Sequence, residues 1–170
     1  MESSAELPRF LHEVSAKGAA RMPAKTLVIV DMQPVFVASK DPNTIIAVTH
    51  EIFMAKQNNH AIMLVEYDRS GKTHTGFDEI LKGYPHKARI SKRDDDGSKE
   101  IVKALCRRNF PMQTLRVCGV NSDCCVRDTV IGLIGKLNKT RVEVVKKACN
   151  SANENFDWRN YYRHPNLRLV

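Results

Sequence analysis

At 170 residues with 42% apolar side chains, the chain is long enough to bury a sizeable core as one domain. Its five cysteines are an odd number without a C-x-x-C pair, and no apolar run near Met1 reaches signal-peptide or membrane-span length, which argues against a disulfide framework, a structural zinc and a membrane anchor and favours a cytoplasmic protein with reduced thiols. The net charge of +8, from 27 Lys and Arg against 19 Asp and Glu, favours anionic partners, but the basic residues are scattered with few aromatics between them, so solvated faces rather than a nucleic-acid interface are expected.

Residues 1–25 are polar and charged apart from Leu7, Phe10, Leu11 and Val14, enough for one short amphipathic helix ended by Lys17 and Gly18. They read as a peripheral arm that packs on the domain or on a second subunit. Residues 26–170 read as the domain itself. The aliphatic run Thr26 to Val30 has the pattern of a strand buried on both faces in a parallel sheet, and it ends at Asp31. Ligands of open α/β sheets bind at that carboxyl end, which makes Asp31 a candidate site residue. A helix of about 15 residues follows, with Thr44 as its cap and Ile45, Ile46, Val48, Ile52, Phe53 and Ala55 towards the sheet.

Ala61 to Glu66 is the second buried strand, followed by a polar segment from Tyr67 to Gly76 and a short helix over Phe77 to Leu81. Ala88 to Ser91 is a weak third strand leading into Lys92. The acids Asp94, Asp95 and Asp96 raise the possibility of a metal site, but helix capping, by one of them or by Ser98, is the preferred reading, ahead of a helix from Lys99 to Arg108. Gln113 to Cys118 is the fourth strand, Cys125 to Leu137 a helix, and Arg141 to Val145 the fifth strand. A short helical stretch near Asp157 to Arg163 and a last strand, Leu167 to Val170, complete the chain. This alternation predicts a three-layer α/β/α, Rossmann-like fold around a mostly parallel sheet of five to six strands, joined by right-handed crossovers.

Three reactive side chains fall at predicted strand ends: Asp31 after the first strand, Lys92 after the third and Cys125 after the fourth. Cysteines at a strand-to-helix junction have two readings. Cys118, Cys124 and Cys125 are small core residues, or a thiol in the first helical turn is a nucleophile whose thiolate is stabilised by unpaired N–H groups. A carboxylate able to take the thiol proton, with an ammonium nearby, would activate such a sulfur without histidine.

Two motifs carry a resemblance. Asp31, Gln33 and Phe36 make a D-x-Q-x-x-F element, and Gly119, Val120, Cys125, Val126 and Thr129 make a G-V-x-x-x-x-C-V-x-x-T element. With a lysine at a strand end between them, residues 26–150 resemble the isochorismatase-like cysteine hydrolases, a family that includes nicotinamidases, N-carbamoylsarcosine amidases, and ureidoacrylate and biuret amidohydrolases. The resemblance implies an Asp-Lys-Cys triad at Asp31, Lys92 and Cys125, with Lys87 as the alternative lysine. It also implies a cis peptide between Val120 and Asn121, and an oxyanion hole from the backbone N–H groups of Asn121 and Cys125. It selects Cys125 over Cys124 as nucleophile and leaves Gln33, Phe36 and Cys124 for the substrate side of the site.

Nicotinamidases in this family carry an acid and histidines as a metal site after the second strand. Here Asp68 and His74 remain, but Ser70 stands where the first histidine would be, so a metal is not expected and no cofactor is assigned. The resemblance therefore implies hydrolysis of a C–N bond in a small molecule through a Cys thioester, by a homo-oligomer, without nucleic acid or membrane as partner. The competing expectation is a catalytically idle scaffold of the same fold that binds a protein or an anionic ligand.

Overall fold

The computed structural model describes residues 23–170, so the expected helix around Leu7 to Val14 lies outside the described residues. Ten helices and strands follow one another among the described residues: β1 (Thr26–Val30), α1 (Pro42–Gln57), β2 (Ala61–Tyr67), α2 (Thr75–Ile80), β3 (Lys87–Lys92), α3 (Ser98–Arg108), β4 (Thr114–Val120), α4 (Arg127–Lys136), β5 (Arg141–Asn150) and β6 (Leu167–Leu169). All strand pairs are parallel, in the order β3-β2-β1-β4-β5-β6. The expected fold class is therefore what the chain adopts, with six strands, all parallel, among the described residues.

The order explains where the site lies. The chain builds outward from β1 through β2 to β3, then crosses back to β4 and builds outward the other way. Right-handed crossovers in opposite directions place α1 and α2 on one face and α3 and α4 on the other. The reversal leaves a crevice beyond the carboxyl ends of β1 and β4, where connections diverge to opposite faces. Val30 pairs with Gly119 at that point, and Gly119 has φ of 121°. A Cβ on Gly119 would lie 2.0 Å from the Val30 carbonyl oxygen, so only glycine lets the two strands meet there.

The core follows the aliphatic runs. Every residue of β1 is buried, as are Ala61 to Glu66 of β2, which is what a strand covered on both faces requires. Several expected boundaries move for local reasons. The cap of α1 is Asp41, whose Oδ2 accepts from Thr44 N and from Thr44 Oγ1, both at 2.7 Å, while Pro42 opens the helix; Thr44 is the donor in this cap. β5 runs on to Asn150, past exposed Lys146 and Lys147, because a break in register between Val117 and Gly119 of β4 lets the strand resume pairing at Cys149. The helix expected from Cys125 starts at Arg127; a π-helical turn, Ser122–Val126, precedes it. The stretch expected near Asp157 to Arg163 is a 3-10 turn, Trp158–Asn160.

Candidate active site

β1 delivers Asp31 into the crevice with φ of 51°, a left-handed conformation uncommon for a residue with a side chain. It is held there from both sides: Asp31 N donates to Val65 O at 2.8 Å, and Asp31 O accepts from Gln33 N at 2.7 Å. β3 delivers Lys92 as its last residue. Lys92 Nζ lies 2.9 Å from Asp31 Oδ2, with the side chains 0% and 1% exposed. The contact is ionic, since neither Asp31 oxygen has a well-directed hydrogen bond among the described residues.

Lys92 is otherwise enclosed. Its ammonium stands 4.4 Å from the centroid of the Tyr67 ring, a cation–π contact, and donates to Asp94 O at 3.0 Å. The alternative lysine, Lys87, opens β3 at the other end of the strand and donates to Leu81 O at 2.6 Å, away from the crevice.

β4 ends at a cis peptide between Val120 and Asn121, and the π turn that follows carries Cys124 and Cys125. The turn is closed by Asn121 O, which accepts from Cys124 N at 3.2 Å and Val126 N at 3.0 Å. Asp123 ties it to the segment after β5, accepting from Ser151 Oγ at 2.5 Å and Asn153 Nδ2 at 3.0 Å. Cys125 is buried and Cys124 half-buried. Asn121 Oδ1 and Ser122 Oγ are buried beside them without a hydrogen-bond partner among the described residues.

Asp95, one of the three acids for which helix capping was preferred over a metal site, faces the two thiols instead. Its Oδ2 accepts from Cys124 Sγ at 3.1 Å and its Oδ1 faces Cys125 Sγ at 3.4 Å. The loop that holds it is pinned by Thr129 of α4, whose Oγ1 accepts from Gly97 N at 3.0 Å and donates to Asp95 O at 3.2 Å. That gives the motif threonine a physical role. The expected side-chain capping of α3 is not made: the helix starts behind Gly97 without a side-chain cap, Asp96 accepts from Ser98 N at 2.7 Å in the turn ahead of it, and Asp95 turns to the thiols. The signal that separates them was long-range contact with the π turn, which an acidic run does not encode.

The electrostatics correct one expectation. Burial pushes the Cys125 thiol well above its ordinary pKa, and the Asp31 carboxylate adds to the rise, with Lys92 opposing it. These influences favour the protonated thiol over the thiolate that a helix start alone would favour. Asp31 is itself raised, chiefly by burial, against the lowering influence of Lys92. A carboxylate of raised pKa next to a protonated thiol is placed to accept its proton when another charge change drives the transfer.

The remaining expected residues fall as follows. Gln33 is buried with its amide wholly used on backbone: Oε1 accepts from Tyr67 N at 2.7 Å, and Nε2 donates to Tyr67 O at 3.0 Å and Gly71 O at 2.6 Å. Through these bonds it holds the loop after β2. Phe36 is half-buried and meets Tyr67 edge-on, with ring centroids 6.4 Å apart. Asp68 Oδ2 lies beside Arg93 at 3.3 Å and Arg69 at 4.0 Å, while His74 Nε2 sits 2.9 Å from Ser39 O. Tyr67, Asp68, Arg69 and Arg93 line a cleft of about 300 Å³ that shares Tyr67 with the Lys92 contact. Cys118 and Cys149 lie buried on adjacent β4 and β5, in keeping with the packing reading for Cys118; burial pushes the Cys149 thiol up to about 12.

No protein-family model and no curated protein sequence matches the chain. Solved structures do. The nicotinamidase from Staphylococcus aureus is 20% identical over 78% of this chain and 88% of that chain, with a TM-score of 0.67. An isochorismatase family protein is 16% identical over 86% of this chain and 97% of that one, also at 0.67. A ribonuclease from Caenorhabditis elegans is 19% identical over 76% of this chain and 66% of that one, at 0.66. Proteins with different activities thus share this architecture, and what the likeness establishes is that the chain adopts the α/β fold of isochorismatase-like proteins.

Proposed function

We propose that the chain is a cysteine hydrolase that cleaves the C–N bond of a small amide, ureido or similar compound. The observation that carries this reading is the buried contact of Lys92 Nζ with Asp31 Oδ2 at 2.9 Å, beside the Cys125 thiol at the switch point of the sheet. An ion pair withdrawn from water costs several kcal/mol per charge before its attraction is counted, and hydrophobic packing would serve stability as well. Its place beside a thiol gives it a chemical use.

In this reading Asp31 accepts the Cys125 proton as the sulfur attacks the substrate carbonyl carbon. Lys92 keeps the carboxylate ionised against its desolvation until then. The N–H groups of Asn121 and Cys125 stabilise the tetrahedral oxyanion. Protonated Asp31 then returns its proton to the leaving ammonia or amine, the thioester forms, and the same carboxylate takes a proton from the water that hydrolyses it. The likeness to a nicotinamidase supports amide chemistry as the reaction class. Phe36 and Cys124 stand at the substrate side.

The test is ammonia or amine release from a panel of small amides and ureido compounds. Cys125→Ala is expected to lose at least about four orders of magnitude in turnover, while Cys124→Ala retains measurable turnover. Equal turnover in Cys125→Ala and the parent chain would overturn the reading.

A second reading rests on a different observation: Arg69 and Arg93 stand with side chains 91% and 84% exposed at the cleft beside Tyr67, on a chain of net charge +8. The same fold then serves as a scaffold for an anionic ligand, RNA included, since a ribonuclease shares the architecture. Binding of single-stranded RNA that weakens steeply with salt, in a chain without amide turnover, would favour it.

A further inference from the structure

We propose that Asp95, Cys124 and Cys125 form a binding site for a thiophilic divalent cation, zinc foremost, and that its occupancy blocks the nucleophile. The inhibitory half rests on the hydrolase reading above; the binding half does not.

The geometry carries the proposal. One ligand atom from each residue lies within 4.8 Å of the others, with Asp95 Oδ2 3.1 Å from Cys124 Sγ and Asp95 Oδ1 3.4 Å from Cys125 Sγ. Tetrahedral zinc, with bonds of about 2.3 Å to sulfur and about 2.0 to 2.2 Å to oxygen, holds neighbouring ligand atoms roughly 3.5 to 3.8 Å apart. Small side-chain rotations take the cluster to that arrangement. Two sulfurs and one carboxylate select zinc over magnesium or calcium, which take oxygen ligands.

The surroundings meet the other needs of a site. Asp95 is exposed, Cys124 half-buried and Cys125 buried, so a cation enters from solvent along its own ligands. Thr129 fixes the Asp95 loop and Asn121 O fixes the π turn, which orients all three ligands from a second layer. Two thiol protons leave to solvent as two sulfur–metal bonds form, so no oxidant or reductant takes part. Two thiolates and a carboxylate around a dication leave a net negative cluster facing Lys92 and Arg127, both of which act electrostatically on Asp95. Three protein ligands leave a fourth position to water, and the sulfur that would attack a carbonyl is tied up. The site is distinct from Asp68 and His74.

The test is titration of the reduced chain with cobalt(II) under anaerobic conditions, in a Cys106→Ser background that removes the exposed free cysteine. The expected result is one equivalent bound, with sulfur-to-cobalt charge-transfer absorption and tetrahedral visible bands that zinc displaces. Asp95→Asn should weaken binding by at least about tenfold, and Cys124→Ser/Cys125→Ser should abolish the charge-transfer band while its circular dichroism matches the parent. Absence of the band in the parent, or its persistence in the double cysteine variant, would overturn the site. These readouts do not depend on turnover, so they stand or fall apart from the hydrolase reading. Where amide turnover is present, zinc should suppress it and a chelator restore it; turnover indifferent to bound zinc would overturn the inhibitory half.

Discussion

The Lys92 ammonium lies 2.9 Å from the Asp31 carboxylate with both side chains almost wholly removed from solvent, at the ends of strands that are not neighbours in the sheet. Such a pair is costly to break from one side. Lys92→Met is expected to lower the unfolding free energy by about 3 to 5 kcal/mol, because it strands a buried carboxylate. Asp31→Leu/Lys92→Met should be more stable than Lys92→Met alone. Denaturant melts of the three proteins check this, and equal destabilisation in the single and double variants would contradict it.

The same pair fixes a pH dependence. Burial holds the Asp31 pKa above its ordinary 3.8 even with Lys92 present, and removing Lys92 removes the main influence that lowers it. A carboxyl with a raised folded pKa favours the folded state below its unfolded pKa and loses that contribution as pH rises through the folded value. The stability deficit of Lys92→Met should therefore shrink as pH falls through the folded Asp31 pKa towards 3.8, whereas a deficit constant with pH would mean that lost packing, not the stranded charge, causes it.

Thiol alkylation gives a kinetic counterpart. Burial and Asp31 raise the Cys125 pKa above 9.0, which favours the protonated thiol at neutral pH. Its alkylation by iodoacetamide should be no faster than that of free cysteine at neutral pH and should climb with pH without a plateau below pH 9.0. Asp95→Asn removes an acceptor that favours the protonated form and should speed alkylation at any given pH. A plateau in the acidic range would show a thiolate formed in advance.

How far the sequence carries this site depends on the kind of contact involved. The place of Asp31 was legible because an unbroken aliphatic run marks the buried strand β1 and the acid follows it directly, whereas Lys92, behind the weak run Ala88 to Ser91, and Cys125, a whole turn beyond the run that ends at Cys118, were singled out by the family resemblance. The six-strand order was not legible, because pairing and reversal are set by crossovers of many residues. Asp95 read as one of three similar acids; what distinguishes it is contact with thiols 29 and 30 residues away. Gln33 read as a substrate contact from its place in a motif, whereas its amide closes backbone groups of Tyr67 and Gly71. The π turn escaped because the helical apolar period of α4 extends back through Val126.

Gln33 separates scaffold from substrate contact. Gln33→Ala leaves Tyr67 N and the Tyr67 and Gly71 carbonyls without their partner, at about 1 to 3 kcal/mol for each group that stays dry. The expected result is a lowered melting temperature and looser proteolytic protection around Tyr67 to Gly76. Unchanged stability with a raised KM would instead assign the side chain to substrate.

Gly119 tests the junction of β1 and β4. At φ of 121° with Val30 O 2.0 Å from where a Cβ would stand, Gly119→Ala combines backbone strain with a main-chain clash. Each is worth about 1 to 3 kcal/mol, and the expected outcome is a marked fall in soluble yield and in unfolding free energy. A variant as stable as the parent would mean that the two strands part more readily than their register implies.

In the proposed reaction Cys125 forms the covalent bond to the acyl group. Rapid acid quench during turnover of an active amide, followed by mass spectrometry of the peptide that contains Cys124 and Cys125, reads it most directly. The expected result is an acyl adduct on the Cys125 sulfur that fades as substrate is consumed and is missing in Cys125→Ala. Turnover without an adduct on either cysteine, undiminished in Cys125→Ala, would contradict it.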